Sequence, residues 1–213
     1  MSARARADSM VQRRELPGLQ IKTIRVTGAM MEFRKFGKIA RLSREIVVTE
    51  KIDGTNGLIA IGEDGEFQVG SRNRWITPEQ DNYGFARWAY EHKDELMQLG
   101  VGFHYGEWWG QGIQRGYGLK EKRFSLFNTA RWYDDAVRPA CCHVVPVLYI
   151  GNFYTFAIED ILECLEFGGS VAAPGFMQPE GVVIYHTAGN VYFKKTIVGD
   201  DQPKSINQTQ EQK

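Results

Sequence analysis

The sequence predicts an α+β fold built from antiparallel sheets with a few flanking helices. Most of the chain consists of short apolar runs of strand length, separated by turn residues. Asp64-Gly65 and Gly189-Asn190 are strong hairpin signals, and only two segments show helical spacing. Strands joined by short turns pair antiparallel, and the helices then cover a sheet face. The predicted strands are residues 46–52, 57–62, 66–71, 103–108, 123–128, 143–149, 181–186 and 190–195.

Two helices are expected to interrupt the strands. The first spans about residues 78–99, where Thr77-Pro78-Glu79-Gln80 has the form of a capping box with proline at the first helical position. Gly84 would delay or kink the start of this helix. The second spans residues 157–167 and ends at Gly168-Gly169. Its apolar stripe consists of Ile158, Ile161, Leu162 and Leu165.

The composition is that of a soluble globular protein, with 43% hydrophobic and 24% charged residues in 213. A net charge of zero argues against a protein that coats nucleic acid indiscriminately. No apolar run approaches the roughly 18 residues of a membrane helix. The three cysteines form no disulfide pattern, which indicates a reducing, intracellular setting such as the cytoplasm.

The chain is expected to form one domain with flexible ends. Residues 1–15 predict a flexible basic arm, residues 16–198 a single domain, and residues 199–213 a flexible polar tail. The basic stretch 34–44 predicts either a phosphate-binding surface or a solvated face. The residues after Lys195 are too few for another domain, so we expect no C-terminal OB-fold or other appended domain.

Lys51 stands where a predicted strand turns, in the segment Glu50-Lys51-Ile52-Asp53-Gly54-Thr55-Asn56-Gly57. A lysine beside an acid and a glycine at a turn can act as a nucleophile. Asp53 shares the face of Lys51 if the segment is extended, and could orient its amine. Gly54 lets the backbone turn close to a ligand. The alternative is a strand end that carries a surface lysine.

Further segments complete a set that is specific in its order. They are the runs SRN (71–73), YGEWWGQGIQ (105–114), FSLFN (124–128), PEGVVIY (179–185) and FKK (193–195). Together with EKIDGTNG, they make the chain similar to the covalent nucleotidyltransferase superfamily of ATP-dependent ligases and capping enzymes. Within that superfamily it most resembles the phage-type, nick-sealing RNA ligases, reduced to a minimal catalytic core. The resemblance covers about residues 33–197.

The resemblance implies a nucleotidyltransferase (adenylation) domain around a nucleotide cleft, with ATP and Mg²⁺ or Mn²⁺ as cofactors. Lys51 would carry AMP, and Asp53 would assist it. The nucleotide would be bound by six residues, and the metal by the last of them. These residues are Glu50, Ile52, Arg72, Glu107, Phe127 and Glu180.

Individual roles follow from the matching motif positions. Glu50 would read adenine through its backbone carbonyl, and Glu107 would accept hydrogen bonds from the ribose. Phe127 would stack on adenine, with Phe124 as the alternative. Arg72 would contact ribose or the 5′-phosphate of the acceptor end.

The last motif departs from the Lys-x-Lys pattern of the relatives. Here Lys194 and Lys195 are adjacent, and Thr196 stands where the second lysine would be. Both lysines are predicted to be catalytic, although neighbours on a strand point to opposite faces. We expect Lys194 to contact the α-phosphate, and the facing of Lys195 stays open.

The function that the resemblance implies is an ATP-dependent RNA ligase that joins 3′-hydroxyl and 5′-phosphate ends in RNA repair. Its partners would be RNA ends in a nicked duplex or RNA–DNA hybrid, with an accessory protein or domain in trans, and no membrane. A monomer is favoured. The alternatives are a small ATP-dependent DNA ligase core and a non-catalytic nucleotide- or nucleic-acid-binding module on the same fold.

Overall fold

The computed structural model describes residues 33–200, apart from the side chains of residues 155 and 156. The chain divides into two units, Met1–Lys38 and Ile39–Lys213. In the first unit, residues 33–38 are described and form no helix or strand. The predicted arm (1–15) and residues 201–213 of the predicted tail lie outside the described residues. The remaining description concerns the second unit.

Ten strands and four short or medium helices make up the described part of this unit. The strands are β1 (Glu45–Lys51), β2 (Thr55–Ile61), β3 (Phe67–Gly70), β4 (Trp75–Ile76), β5 (Gly102–Gly110), β6 (Lys122–Leu126), β7 (Cys142–Val144), β8 (Val147–Asn152), β9 (Gly181–His186) and β10 (Val191–Thr196). The helices are α1 (Phe85–Glu91), α2 (Lys93–Leu96), α3 (Thr129–Trp132) and α4 (Thr155–Gly168). Single 3-10 turns follow at Met97–Leu99 and Gly116–Gly118.

The strands form two sheets, which confirms the predicted α+β class. One sheet has four strands in the order β10-β9-β1-β8, and the other has six in the order β4-β3-β2-β5-β6-β7. Every pairing is antiparallel except that of β6 with β7. The chain passes from one sheet to the other between β1 and β2, at the segment that begins with Lys51.

Each sheet buries one face under helices. The apolar side of α4 (Ile158, Leu162, Leu165) packs on β1 and β9 of the four-stranded sheet, as its predicted stripe requires. Helix α1 packs with Trp108 and Phe124 on the six-stranded sheet. A third cluster forms around the junction of the sheets, from Ile52, Trp109, Tyr117, Val145 and Ala173.

The prediction that the first helix begins at residue 78 is wrong. Helix α1 begins at Phe85, and Gly84 before it has a left-handed backbone with φ 81°. The Asp81 carboxylate accepts hydrogen bonds from the N–H groups of Ala86 and Arg87. It satisfies first-turn donors that the predicted capping box at residues 77–80 would have served.

The predicted strand 143–149 is two strands that belong to different sheets. β7 joins the six-stranded sheet and β8 joins the four-stranded one. Pro146 separates them, and proline has no N–H to give to a ladder. Its carbonyl accepts from the N–H of Glu50 instead.

No helix among residues 33–200 is long and apolar enough to cross a membrane.

Candidate active site

Lys51 is the last residue of β1, and its Nζ donates to Glu180 Oε2 at 2.5 Å. The lysine side chain is 19% exposed and the glutamate 2%. Strand pairing explains the meeting, because Lys51 pairs with Gly181, the first residue of β9. Lys51 Nζ, the nitrogen that would have to attack a phosphate, is therefore engaged with Glu180. This ion pair must open before Lys51 can form a bond.

The chain after Lys51 runs tightly against β5. A Cβ on Gly54 would lie 2.5 Å from the Trp108 carbonyl oxygen and 2.7 Å from the Trp109 Cβ, so only glycine allows this approach. The Gly54 N–H donates to Glu107 Oε1 at 3.0 Å. Asn56 on β2, opposite Glu107, donates to Oε2 at 3.1 Å. Glu107 is thereby fixed beside the Lys51 segment.

The acidic groups around Lys51 influence one another. Burial raises the pKa of Glu107 from 4.5 to about 7. The positive charge of Lys51 and the hydrogen bond from Gly54 oppose this rise, whereas the negative charges of Glu180 and Asp53 add to it. One amine and three carboxylates from distant parts of the chain therefore form a single electrostatic cluster.

Asp53 is held by two residues that the sequence analysis missed. The Asp53 N–H donates to the Tyr117 hydroxyl at 2.8 Å. Arg115 donates from Nε to Asp53 Oδ2 at 3.0 Å, and from Nη1 to the carbonyls of Gln178 at 2.8 Å and Pro179 at 3.1 Å. Burial raises the pKa of the Tyr117 hydroxyl, so this group stays neutral and can accept the hydrogen bond.

The segment of residues 110–118 brings these two side chains to the site. Gln114 and Tyr117 have positive φ angles of 46° and 52°. The four glycines of the segment also have positive φ angles. These four glycines could have indicated from the sequence that the segment turns repeatedly, but not which side chains it brings to Asp53. The run YGEWWGQGIQ (105–114), which carries the family resemblance, ends one residue before Arg115.

Glu50 points to the side of its sheet opposite Lys51. Its carboxylate accepts from Ser170 Oγ at 2.6 Å and from the N–H groups of Val171 and Ala172 at 2.8 Å each. Burial raises the pKa of Glu50, and these three hydrogen bonds counteract the rise. The side chain anchors the loop after α4. The predicted contact of its backbone carbonyl with adenine stays a prediction.

Ile52 is 3% exposed, and its side chain packs in the junction cluster with Trp109 and Tyr117. Its backbone alone can face a nucleotide. Its predicted part in nucleotide binding remains a prediction on that basis.

Strand register separates the two candidate stacking residues. Phe124 is fully buried against Phe85, with ring centroids 4.9 Å apart, so it is not available to a base. Ser125 pairs with Glu107, and Phe127 lies two residues further along the same face. Phe127 is 40% exposed. The structure thus brings Phe127 and Glu107 to one open face.

The register of β10 separates the two lysines in the same way. Thr196 pairs with Gly181, which pairs with Lys51, and Lys194 lies two residues away on that same face. Lys195 pairs with Val182, whose side chain packs under α4. Its Nζ lies 3.9 Å from Asp200. The structure therefore brings Lys194 to the face of Lys51 and leaves Lys195 on the other face.

Arg72 lies exposed in the turn between β3 and β4. It is two residues beyond the last β2–β3 pair, Leu58 with Gly70. Asn56, two residues before Leu58, is at the same end of the sheet and contacts Glu107. Arg72 is thus placed at the Glu107 end of the sheet, and its role stays a prediction.

Among residues 33–200, no group of three or more His, Cys, Asp or Glu side chains forms a metal cage. Mg²⁺ commonly binds through one or two carboxylates, with phosphates and water as its other ligands. Glu180, beside Lys51, offers a carboxylate of this kind. The residues present fit a metal that shares its ligands with a bound nucleotide.

Comparison with solved structures identifies the fold. Three structures of an RNA ligase from Naegleria gruberi match with TM-scores of 0.52 to 0.55 and 20% to 22% identity. Two are mutants with ATP and Mn, and one is a mutant with AMP and Mn. The matches cover 72% to 73% of this chain and 50% of the Naegleria chains, so the chain spans about half the length of those proteins.

None of the curated proteins matched the sequence. A protein-family model described as RNA ligase matches residues 44–197. That range includes both sheets, Lys51 and the three carboxylates around it. The match covers most of the chain, and the chain therefore belongs to the RNA ligase family.

Proposed function

We propose that this chain is an ATP-dependent RNA ligase that joins 3′-hydroxyl and 5′-phosphate ends through a lysyl-AMP intermediate. The observation that supports this function is the meeting of Lys51 and Asp53, from one segment, with Glu107 and Glu180 from two remote segments. The Naegleria ligase structures hold ATP or AMP with Mn. We assign the same kind of nucleotide and divalent metal to this chain.

In the first step, Lys51 Nζ attacks the α-phosphorus of ATP. A P–N bond forms, the bond to pyrophosphate breaks, and the Lys51 ammonium group gives two protons to water, one before the attack and one after it. Glu107 accepts hydrogen bonds from the ribose hydroxyls, and Phe127 stacks on the adenine. Lys194, on the face of Lys51, lies close to the phosphates and offsets their charge.

Glu180 has two tasks in sequence. It first pairs with Lys51, as the 2.5 Å contact shows. Once the amine leaves to attack, its carboxylate is available to Mg²⁺ or Mn²⁺, which would neutralise negative charge on the phosphates. Asp53 remains beside the lysine and orients the reacting nitrogen.

The later steps move AMP to the RNA and then expel it. A 5′-phosphate attacks the lysyl-AMP and receives the AMP, and a 3′-hydroxyl then attacks that activated end. Arg72 at the Glu107 end of the sheet would hold the 5′-phosphate. We propose a nicked RNA duplex or RNA–DNA hybrid as the substrate in RNA repair, with a monomeric chain that takes an accessory domain in trans. All three cysteines are free, in keeping with an intracellular setting.

Intact-protein mass spectrometry tests the first step. Protein incubated with ATP and Mg²⁺ should gain the mass of one AMP, and Lys51→Ala should gain none. Lys120→Ala is a matched control, because Lys120 is an exposed lysine in the loop between β5 and β6. No adduct on the unaltered protein would refute the proposal and favour a non-catalytic binding module. An adduct from GTP alone would indicate a capping enzyme.

Nicked duplexes distinguish RNA sealing from DNA sealing. Three substrates should be compared, with RNA on both sides of the nick, with RNA on the 3′-hydroxyl side alone, and with DNA throughout. We expect sealing of the first two, because 2′-hydroxyls and A-form geometry mark RNA ends. Preferential sealing of the all-DNA nick would favour a small DNA ligase core.

A further inference from the structure

Arg115 connects two segments that strand pairing leaves unconnected. The pairing of β1 with β9 ends at Lys51 and Gly181. Asp53 lies beyond that last pair on one side, and Gln178 and Pro179 lie beyond it on the other. The Arg115 guanidinium donates to the Asp53 carboxylate at 3.0 Å and to both carbonyls, at 2.8 and 3.1 Å.

These two segments carry the groups that surround the reacting nitrogen. Asp53 follows Lys51 by two residues, and Pro179 directly precedes Glu180. In the free protein, the ion pair of Lys51 with Glu180 also joins them. That ion pair cannot persist through the reaction, because a lysine bonded to phosphorus no longer carries an ammonium charge. Arg115 does not take part in the bond, so its three contacts can persist.

We propose that Arg115 is a positioning residue that holds Asp53 and the Glu180 segment at a fixed distance from each other after Lys51 has received AMP. This inference rests on the proposed function, because it concerns the state in which lysine carries AMP. Two other contacts hold the segments separately. The Tyr117 hydroxyl accepts from the Asp53 N–H, and the Glu180 carbonyl accepts from the Ile197 N–H. Neither of these contacts joins one segment to the other.

The consequence is an unequal effect on the reaction steps. Before Lys51 attacks ATP, its ion pair with Glu180 still joins the two segments. During transfer of AMP to the RNA 5′-phosphate, when that ion pair is lost, Arg115 still links Asp53 to the segment before Glu180. Loss of Arg115 should therefore slow AMP transfer more than it slows lysyl-AMP formation.

Arg138 provides a matched control. Its guanidinium also contacts one carboxylate, Asp135, and two backbone carbonyls, those of Cys142 and Trp132. It belongs to the β7 end of the six-stranded sheet, away from Lys51. Arg115→Ala and Arg138→Ala thus remove the same set of bonds from different places.

The experiment measures two single-turnover rates for each variant. One is the rate of lysyl-AMP formation from ATP, and the other is the rate at which isolated lysyl-AMP protein transfers AMP to a 5′-phosphorylated nicked RNA duplex. We expect Arg115→Ala to slow transfer about 10- to 100-fold, the usual effect of losing hydrogen bonds between charged groups, with a smaller effect on formation. Arg138→Ala should leave both rates near those of the unaltered protein.

Other outcomes separate the two proposals. If the unaltered protein forms no lysyl-AMP, the proposed function fails. If it transfers AMP normally and Arg115→Ala slows both steps equally, or no more than Arg138→Ala, the positioning role fails. If Arg115→Ala does not fold, Arg115→Lys gives the same test. Lysine keeps a charge beside Asp53 but cannot also reach both carbonyls.

Discussion

Replacing Glu107 with glutamine should make the protein more stable at alkaline pH. Burial raises the pKa of Glu107 from 4.5 to about 7 in the folded protein. In the unfolded chain the carboxyl regains its ordinary value, so between pH 4.5 and 7 the folded protein binds more protons than the unfolded one. Its free energy of unfolding therefore falls as the pH rises through this range.

The magnitude follows from the size of the pKa rise. A shift from 4.5 to about 7 corresponds to about 3 kcal/mol, at about 1.4 kcal/mol for each pH unit. Glutamine has nearly the same shape and no charge to bury. Its carbonyl can accept from Gly54, and the Asn56 amide can rotate to accept from its NH₂ group. Glu107→Gln should thus gain up to about 3 kcal/mol at pH 8 and little at pH 4.5.

Urea unfolding at pH 4.5 and pH 8 measures this difference. Glu163→Gln is the control, because Glu163 is exposed on α4 and should show a small, pH-independent effect. Equal stability of Glu107→Gln and the unaltered protein at pH 8 would refute the electrostatic reasoning. The same variant should form lysyl-AMP about 10- to 100-fold more slowly, because a charged acceptor for the ribose hydroxyls is lost. A variant that is more stable and less active would show that the buried charge of Glu107 lowers the free energy of unfolding but is needed for the reaction.

Five more substitutions test the assignments made from strand register and burial. Phe127→Ala should weaken ATP binding by about 1–3 kcal/mol in a titration, the usual worth of a stacked base, and leave the free energy of unfolding nearly unchanged. Phe124→Ala should instead destabilise the fold by about 3–5 kcal/mol in urea unfolding, because that ring is fully buried. Lys194→Ala should slow lysyl-AMP formation at least about 10-fold, whereas Lys195→Ala should have little effect; a larger loss at Lys195 would contradict the register of β10. Glu50→Ala should cost about 1–3 kcal/mol for each N–H it leaves unpaired, as thermal unfolding would show.

The sequence predicted the strands well because their apolar residues and turns are local signals. β9 begins and ends where predicted, and most other strands differ by one or two residues at each end. The main errors arose where distant contacts decide the outcome. Pro146 divides one apolar run between two sheets, because its neighbours pair with different partners. The carboxylate of Asp81, rather than the capping box before it, receives the N–H groups of α1.

The site could be predicted only as far as motif resemblance reached. Lys51, Glu107 and Glu180 were named from their motifs, and the structure brings them together. Spacing alone could not decide between Phe124 and Phe127, because that choice depends on which face of β6 is covered by α1. Arg115 was missed for a different reason. Its contacts lie more than 60 residues away in the chain, and nothing local marks an arginine for such partners.

The 2.5 Å pair of Lys51 with Glu180 has a consequence for how the reaction can begin. In the proposed reaction Lys51 Nζ is the attacking nitrogen, and because the buried glutamate holds it, the free protein would be in a resting arrangement. ATP cannot react simply by entering the cleft, because Lys51 must first exchange Glu180 for the phosphate. Glu180 would then hold the divalent cation that accompanies the nucleotide, and the cation would balance the carboxylate charge that the lysine leaves. Under the proposed function, binding of the nucleotide and release of Lys51 would then be coupled, and the lysine would be freed only when a phosphate is present to receive it.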